Sequence, residues 1–381
     1  MDQPIYLDYN ATTPIDPVVA EAMQPCLGPL FGNPSSPHLY GVAAKKAVEA
    51  GREQVAAMLG CLPGEIVFTS GGTEANNTAI KGVAEAYVEL GRHIITSAIE
   101  HPATLEPCEY LAGKGYEVTV LPVDEYGLVH PEQVEAAIRD DTILVTIMHA
   151  NNEVGTIQPI REIAAIAHAH GALMHTDAAQ TPGKLPVHVD ELDVDLLSVA
   201  GHKLYAPKGV GALYVREGVR LTKFMHGATH EQNRRASTEN LMGIVGLGAA
   251  CHLITTNLGE YAAHMGAMRE RLRAGLQGAL ADTRVNGHPT LYLPNTLSIG
   301  FRGLDATDIL VELVDSVAAS AGAACHTDQV TVSAVLQAMQ VPFEYARGTL
   351  RLSVGRHTTP EEIDRAVEAI VGVVQGLRGQ A

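Results

Sequence analysis

A chain of 381 residues is long enough for two domains around sizeable cores, and with 46% hydrophobic and 18% charged residues it has a globular rather than a disordered composition. A formal net charge of −17 sets its surface against phosphate backbones, so nucleic acid is not an expected partner. The five cysteines (Cys26, Cys61, Cys108, Cys251, Cys325) lie far apart without a CxxC pair, which speaks against a disulfide framework and against a metal centre. No apolar run approaches the roughly 18 residues of a membrane span. MDQPIYLDYNATTP has neither a basic nor an apolar signal region, so a cytoplasmic protein is expected.

From about residue 43, short β-rich runs alternate with helical stretches. AAKKAVEAGREQVAAML predicts an amphipathic helix, EIVFTS a strand and TEANNTAIKGVAEAYVEL a second helix. The strand candidates HIITS, EVTVLP, TILVTIM, ALMHTD, DLLSV and GALYVR follow, several of them separated by helices. The alternation predicts an α/β fold with a mainly parallel sheet covered on both faces. In such sheets ligands bind beyond the carboxyl ends of the strands, so functional residues are sought just after each strand. After about residue 240 the pattern changes to a long helical stretch, then LPNTLSIGF, LRLSVG and a final helix near 360–377. We expect a large domain over residues 13–250 and a smaller αβ domain over 251–381, joined by residues 1–12.

Four segments carry chemistry. In FTSGGTEANN (68–77) two glycines sit between a strand and a helix; this suits a phosphate held by exposed N–H groups, or simply a tight turn with Thr73 as helix cap. In HTDAAQTPGK (175–184) Asp177 falls where a strand ends, placed either to cap a helix or to pair with a protonated pyridine nitrogen. In SVAGHKLYAPKGVGALYV (198–215) Lys203 lies between two strands, where a lysine of lowered pKa can form a Schiff base. In ASAGAACHTD (319–328) Cys325 stands on a small-residue loop beside His326, a setting for a reactive thiolate. Downstream, Arg351 and Arg356 flank a strand, and either could clamp a carboxylate.

In this order and spacing, YLDYNATTP, FGNPSS, FTSGGTEANN, HTDAAQ, SVAGHK, AACHTD and SVGRHTT resemble the cysteine desulfurase and selenocysteine lyase family of pyridoxal-5'-phosphate (PLP) enzymes. The resemblance runs nearly end to end. It implies the aspartate-aminotransferase-like fold type I, a homodimer and PLP as cofactor. It also assigns roles. Lys203 carries the cofactor and moves the Cα proton. Asp177 pairs with the pyridine nitrogen, Gln180 and Asn152 contact the ring hydroxyl, and His101 of EHPAT stacks on the ring and serves as a catalytic residue in proton transfer. Gly72, Thr73 and His202 hold the phosphate, with Thr238 reaching in from the neighbouring subunit. Arg351 binds the substrate carboxylate, with Asn10 as a second substrate-binding residue, and Cys325 acts on the substrate sulfur or selenium.

Two positions depart from the family pattern. Ala200 stands where many desulfurases have serine, and Gln232 in GATHEQNRRAST (227–238) stands where arginine is usual. Ala200 and AACHTD, followed by VPFEYARGTLRLSVGR, look more like selenocysteine lyases. The sequence reading therefore leans to L-selenocysteine as substrate, with L-cysteine and a Cys325 persulfide as the alternative; an acceptor protein for the released atom is a possible partner. A related aminotransferase would not need Cys325, and a nucleotide-binding oxidoreductase would want GxGxxG after its first strand, which SGGTEA does not provide.

Overall fold

The computed structural model describes residues 3–326 and 329–380, with residues 323–326, 329–331 and 380 described as backbone only. A short strand β1 (Ile5–Tyr6) precedes the strands of a seven-stranded sheet: β2 (Ile66–Thr69), β3 (His93–Ser97), β4 (Glu117–Leu121), β5 (Thr142–Thr146), β6 (Leu173–Asp177), β7 (Leu196–Ala200) and β8 (Gly211–Val215). Their spatial order is β2-β8-β7-β6-β5-β3-β4. The run from β7 to β4 is parallel, and β8 is antiparallel to both of its neighbours. Consecutive residues face opposite sides of a strand. Ile95, Val145 and Leu197 accordingly join one hydrophobic core, and Ile94, Leu144 and Leu196 join another. Because both faces are covered, the inner strands are buried at nearly every position and show no alternation of burial.

Helices α1 (Leu39–Leu59), α2 (Gly72–Ala86), α3 (Pro102–Ala112), α4 (Leu241–Ala279) and α5 (Pro360–Gln380) frame the chain. α1 begins four residues before the sequence reading placed it, because His38 Nδ1 accepts the Gly41 N–H at 3.3 Å and caps the helix there. α2 is capped at Gly71, not Thr73; a φ of 156° at Gly71 suits glycine, and Thr73 is the second residue of the helix.

A second sheet is antiparallel, in the order β12-β15-β10-β9, from β9 (Thr283–Asn286), β10 (Thr296–Phe301), β12 (Ser320–Ala321) and β15 (Thr349–Ser353). β1 pairs in parallel with β11 (Val317–Ala318), bringing Ile5 and Leu7 into the core beneath this sheet. That core takes Met265, Met268, Leu272 and Leu276 from α4, and Ile363, Ala366, Ile370 and Val374 from α5. The same α4 gives Leu247, Ala250, Cys251 and Ile254 to the core of the large sheet, so the passage between the two cores falls inside one helix. By length and composition α4 could cross a membrane, contrary to the apolar-run reading. Half of its most apolar window is buried inside the protein, as in a core helix. A separate hairpin, β13 (Ala323–His326) with β14 (Gln329–Val332), leaves the small sheet next to β15.

Candidate active site

The carboxyl ends of β2, β3, β5, β6 and β7 open on a cavity of about 390 Å³. It is lined by ten of the residues singled out from the sequence: Asn10, Gly72, Thr73, His101, Asn152, Asp177, Gln180, His202, Lys203 and Arg351. Five strand ends deliver eight of them, because strands that run in one direction share one edge, while Asn10 comes from the N-terminal segment and Arg351 from the small sheet.

Lys203 ends the short turn Gly201–Lys203 that follows β7. Its Nζ donates to the carbonyl of Ala11 at 2.8 Å and to that of Asn10. Burial, followed by the charge of Arg351, pushes its pKa down to about 8, against the pull of Asp8 and Asp177. At pH 7 about a tenth of this amine is therefore neutral and able to act as a nucleophile, far more than of an ordinary lysine.

Asp177, the last residue of β6, is buried. Its Oδ2 accepts from Asn76 Nδ2 at 2.7 Å and its Oδ1 from the Ala179 N–H at 2.8 Å. His101 caps α3, with Nδ1 accepting the Ala103 N–H at 3.1 Å. The proton of the neutral ring thus belongs on Nε2, an assignment made from this hydrogen bond. Loss of hydration within the cavity lowers the His101 pKa, with Asp177 opposing and Lys203 reinforcing the shift. His202 is pushed down to about 4 by burial and then by Lys203 and Lys208, so it is neutral at physiological pH.

At the opposite corner, Gly72 and Thr73 form the first turn of α2, whose N–H groups have no partner within the helix. A Cβ on Gly72 would lie 3.3 Å from the Cβ of Ala200. Ala200 therefore packs against this turn without supplying a hydroxyl. Thr238 is exposed and does not line the cavity of its own chain. Its loop is nevertheless tied down: Glu231 pairs with Arg52 at 2.7 Å and Arg235 with Glu74 at 2.7 Å, and Gln232 sits in a left-handed conformation with φ 56°.

Arg351 comes from β15 of the small sheet. Nη2 donates to Asp8 Oδ1 at 2.9 Å and to Ser320 Oγ at 3.1 Å, while its buried Nε has no partner among the described residues. Arg351 lines the cavity, where its guanidinium can meet a carboxylate. Arg356 is used differently. It is buried, paired with Asp16, and stacked 3.9 Å from the Tyr205 ring centroid, away from the cavity lining.

Asn10 departs from its expected role. Its Oδ1 accepts from Lys184 and Asn295, and its Nδ2 donates to Asn152 O and Thr296 Oγ1. All four hydrogen-bonding positions of the amide are taken, so Asn10 holds the site together and has none left for substrate. The Cys325 side chain lies outside the described residues. Its backbone is in β13 opposite Val330, and the hairpin is rooted by the Gly322 N–H on Thr349 O at 2.8 Å, two residues from Arg351.

Sequence reasoning missed Asn76, Asp8, Lys184 and Glu100. Asn76 and Asp8 lie inside quoted motifs, but their partners are 101 and 343 residues away in sequence. Glu100 is buried, with Oε1 accepting from Ser97 Oγ at 2.6 Å and from the Met148 N–H at 2.9 Å. Its Oε2 has no partner among the described residues, and burial raises its pKa to about 8.

The donor set suits PLP: a poised amine, a buried carboxylate to face a pyridine nitrogen, and a helix start for a phosphate. Fold and site together define a PLP-dependent enzyme of fold type I. The chain belongs to the aminotransferase class-V family, which its residues 5–366 match. It is 45% identical over 379 residues to "Cysteine desulfurase IscS" of Dictyoglomus turgidum (strain DSM 6724 / Z-1310), covering 99% of this chain and 96% of that one. It is 47% identical over 378 residues to "Cysteine desulfurase IscS" of Methanosarcina thermophila, covering 99% and 93%. A solved "NIFS-LIKE PROTEIN" superposes with a TM-score of 0.92 at 38% identity, over 98% of this chain and 100% of that one.

Proposed function

We propose that the chain removes sulfur from L-cysteine and releases L-alanine, with Cys325 accepting the sulfur as a persulfide. The relatives named above are cysteine desulfurases, which favours this reading over the selenocysteine lyase lean drawn from Ala200 and AACHTD. The lean rested on one missing hydroxyl and on loop residues, and Ala200 is accounted for by its packing against Gly72. The observation that carries the proposal is the convergence of Lys203, Asp177 and Arg351 on one cavity from three different strands.

When bound, PLP withdraws electrons from the substrate Cα and Cβ, and Asp177 would favour this by keeping the pyridine nitrogen protonated. Lys203 would hold the cofactor and then move the Cα proton on its Nζ. Gly72, Thr73 and neutral His202 would take the phosphate, Gln180 and Asn152 the ring hydroxyl, and His101 the ring face. Arg351 would seat the substrate carboxylate with its guanidinium. The thiolate of Cys325 would bond to the substrate sulfur as the C–S bond breaks, and protons returned to carbon would complete alanine.

We further propose a homodimer in which Thr238 completes the partner's site. Leu27, Phe31, Leu39 and Tyr40 are 59–86% exposed, an apolar surface that a second subunit would cover. Light scattering should give twice 40.3 kDa; a fully active monomer removes Thr238 from the site. A cytoplasmic location and transfer of the sulfur to an acceptor protein complete the reading. Alanine release from L-cysteine and L-selenocysteine, measured side by side, tests the substrate. Turnover of selenocysteine alone, without a Cys325 persulfide after cysteine treatment, would overturn the assignment.

A further inference from the structure

Lys184 lies behind the cavity wall, 5% exposed, and no acidic side chain pairs with it among the described residues. Its Nζ donates to Gln180 Oε1 at 2.9 Å and to Asn10 Oδ1 at 3.2 Å. The charged and titratable groups around it are Lys203, Arg351, Arg356, Tyr9, Tyr205 and Tyr261, three cations and three phenols. Burial first, then the charges of Lys203 and Arg351, hold its pKa well below the usual lysine range. A lysine with no structural task at such a place is expected to be replaceable by an apolar side chain with no loss.

The hydrogen bonds suggest a task. The backbone carbonyls of Asn10 and Asn152 can only accept, so Gln180 and Asn10 turn their amide nitrogens to them and their amide oxygens to Lys184. Gln180 therefore turns Oε1 to Lys184 and Nε2 to the cavity side, where one N–H reaches Asn10 O at 3.1 Å and the other has no acceptor among the described residues. Asn10 is locked in the same way, with Oδ1 held by Lys184 and Asn295. The backbone carbonyl of this same Asn10 receives Lys203 Nζ. One buried amine thus holds the oxygens of two amides, one of them in the residue whose backbone carbonyl receives the cofactor lysine.

We propose that Lys184 is a positioning residue that fixes Gln180 as a donor toward the cofactor's ring oxygen and so favours the ionised form of that oxygen. This rests on the PLP reading of the site. The donor and any charge on Lys184 act in the same direction, since both favour an anion.

The test is a pH titration of the visible absorbance of purified holoenzyme, together with the dissociation constant for PLP. Lys184→Met should raise the absorbance midpoint by about one pH unit and weaken PLP binding about tenfold. Lys184→Gln, which keeps an N–H donor, should fall between that variant and the wild type. Gln180→Ala should reproduce the shift, and the double variant should add nothing further. A wild-type midpoint in Lys184→Met, or weakened binding with no change of midpoint, overturns the proposal. So does a shift that adds fully to that of Gln180→Ala. If Lys184→Met does not fold, Lys184→Gln alone and combined with Gln180→Ala makes the same comparison. Failure of borohydride to fix PLP to Lys203 in the wild type would instead defeat the cofactor reading itself.

Discussion

The two walls of the cavity are built on different principles. On the side of the seven-stranded sheet, every polar residue stands at or just after the carboxyl end of a parallel strand, and backbone geometry alone puts Gly72, His101, Asn152, Asp177 and Lys203 on one edge. On the side of the four-stranded sheet the main contributor is Arg351, in the middle of an antiparallel strand, aimed by Asp8 and Ser320 from other segments. The first wall would hold the cofactor and the second the substrate. A strand end is a local feature, whereas the aim of Arg351 depends on residues 343 and 31 positions away.

If the walls are separable in this way, losses on each side should look different. The largest effect belongs to Lys203→Ala: borohydride no longer fixes PLP to the chain, and loss of the proton-transfer role alone lowers turnover about 10²- to 10⁴-fold. Cys325→Ala should also end alanine formation from L-cysteine, yet leave PLP fixed to Lys203; loss of the cofactor there would break the division.

Arg351→Ala removes a charge-assisted contact and should raise KM about 10- to 100-fold with the cofactor retained. Arg356→Ala should instead cost about 1–3 kcal/mol of stability, because it takes the arginine from the buried Asp16 carboxylate, which among the described residues keeps only the Val18 N–H and His357. If the KM effect appears in Arg356→Ala and not in Arg351→Ala, the substrate wall has been assigned to the wrong arginine.

A smaller effect links the walls. Only the neutral amine of Lys203 attacks an aldehyde, and its pKa is about 8, so the rate of PLP attachment should rise with pH and level off above 8. An unperturbed lysine would go on rising to about pH 10.4. Because Arg351 is one cause of the lowered value, Arg351→Ala should move the midpoint upward.

The smallest effect concerns Glu100, whose folded pKa of about 8 lies above the ordinary 4.5. Between these values the unfolded chain has lost the proton that the folded chain keeps, so stability falls as pH rises from 4.5 to 8. Glu100→Gln mimics the protonated form. It should raise Tm by a few degrees at pH 8 and hardly at pH 5; an equal change at both values would mean that Glu100 is ionised.

Lys203, Asp177 and the glycines before α2 were legible because strand-to-loop transitions are visible in a linear pattern of apolar runs and punctuation. Arg351 was legible only as one of two arginines; the ion pair of Arg356 with Asp16, from the far end of the chain, separated them. Asn10 was placed in the site, but its amide proved to be spent on Lys184, Asn295, Asn152 and Thr296. Lys184 looked like the end of a loop motif and is a buried lysine bound to two amides.

By itself the sequence determined the alternation of strands and helices, the strand ends that bear chemistry, and the likeness of those segments to one enzyme family. These follow from short-range periodicity and from residue types at fixed spacing, which survive in one dimension. Only the tertiary structure decided which arginine faces the cavity, which amides are already saturated and which titrating groups are pushed from their usual range. Those properties depend on burial and on partners brought together across hundreds of residues, and neither is encoded at a single position.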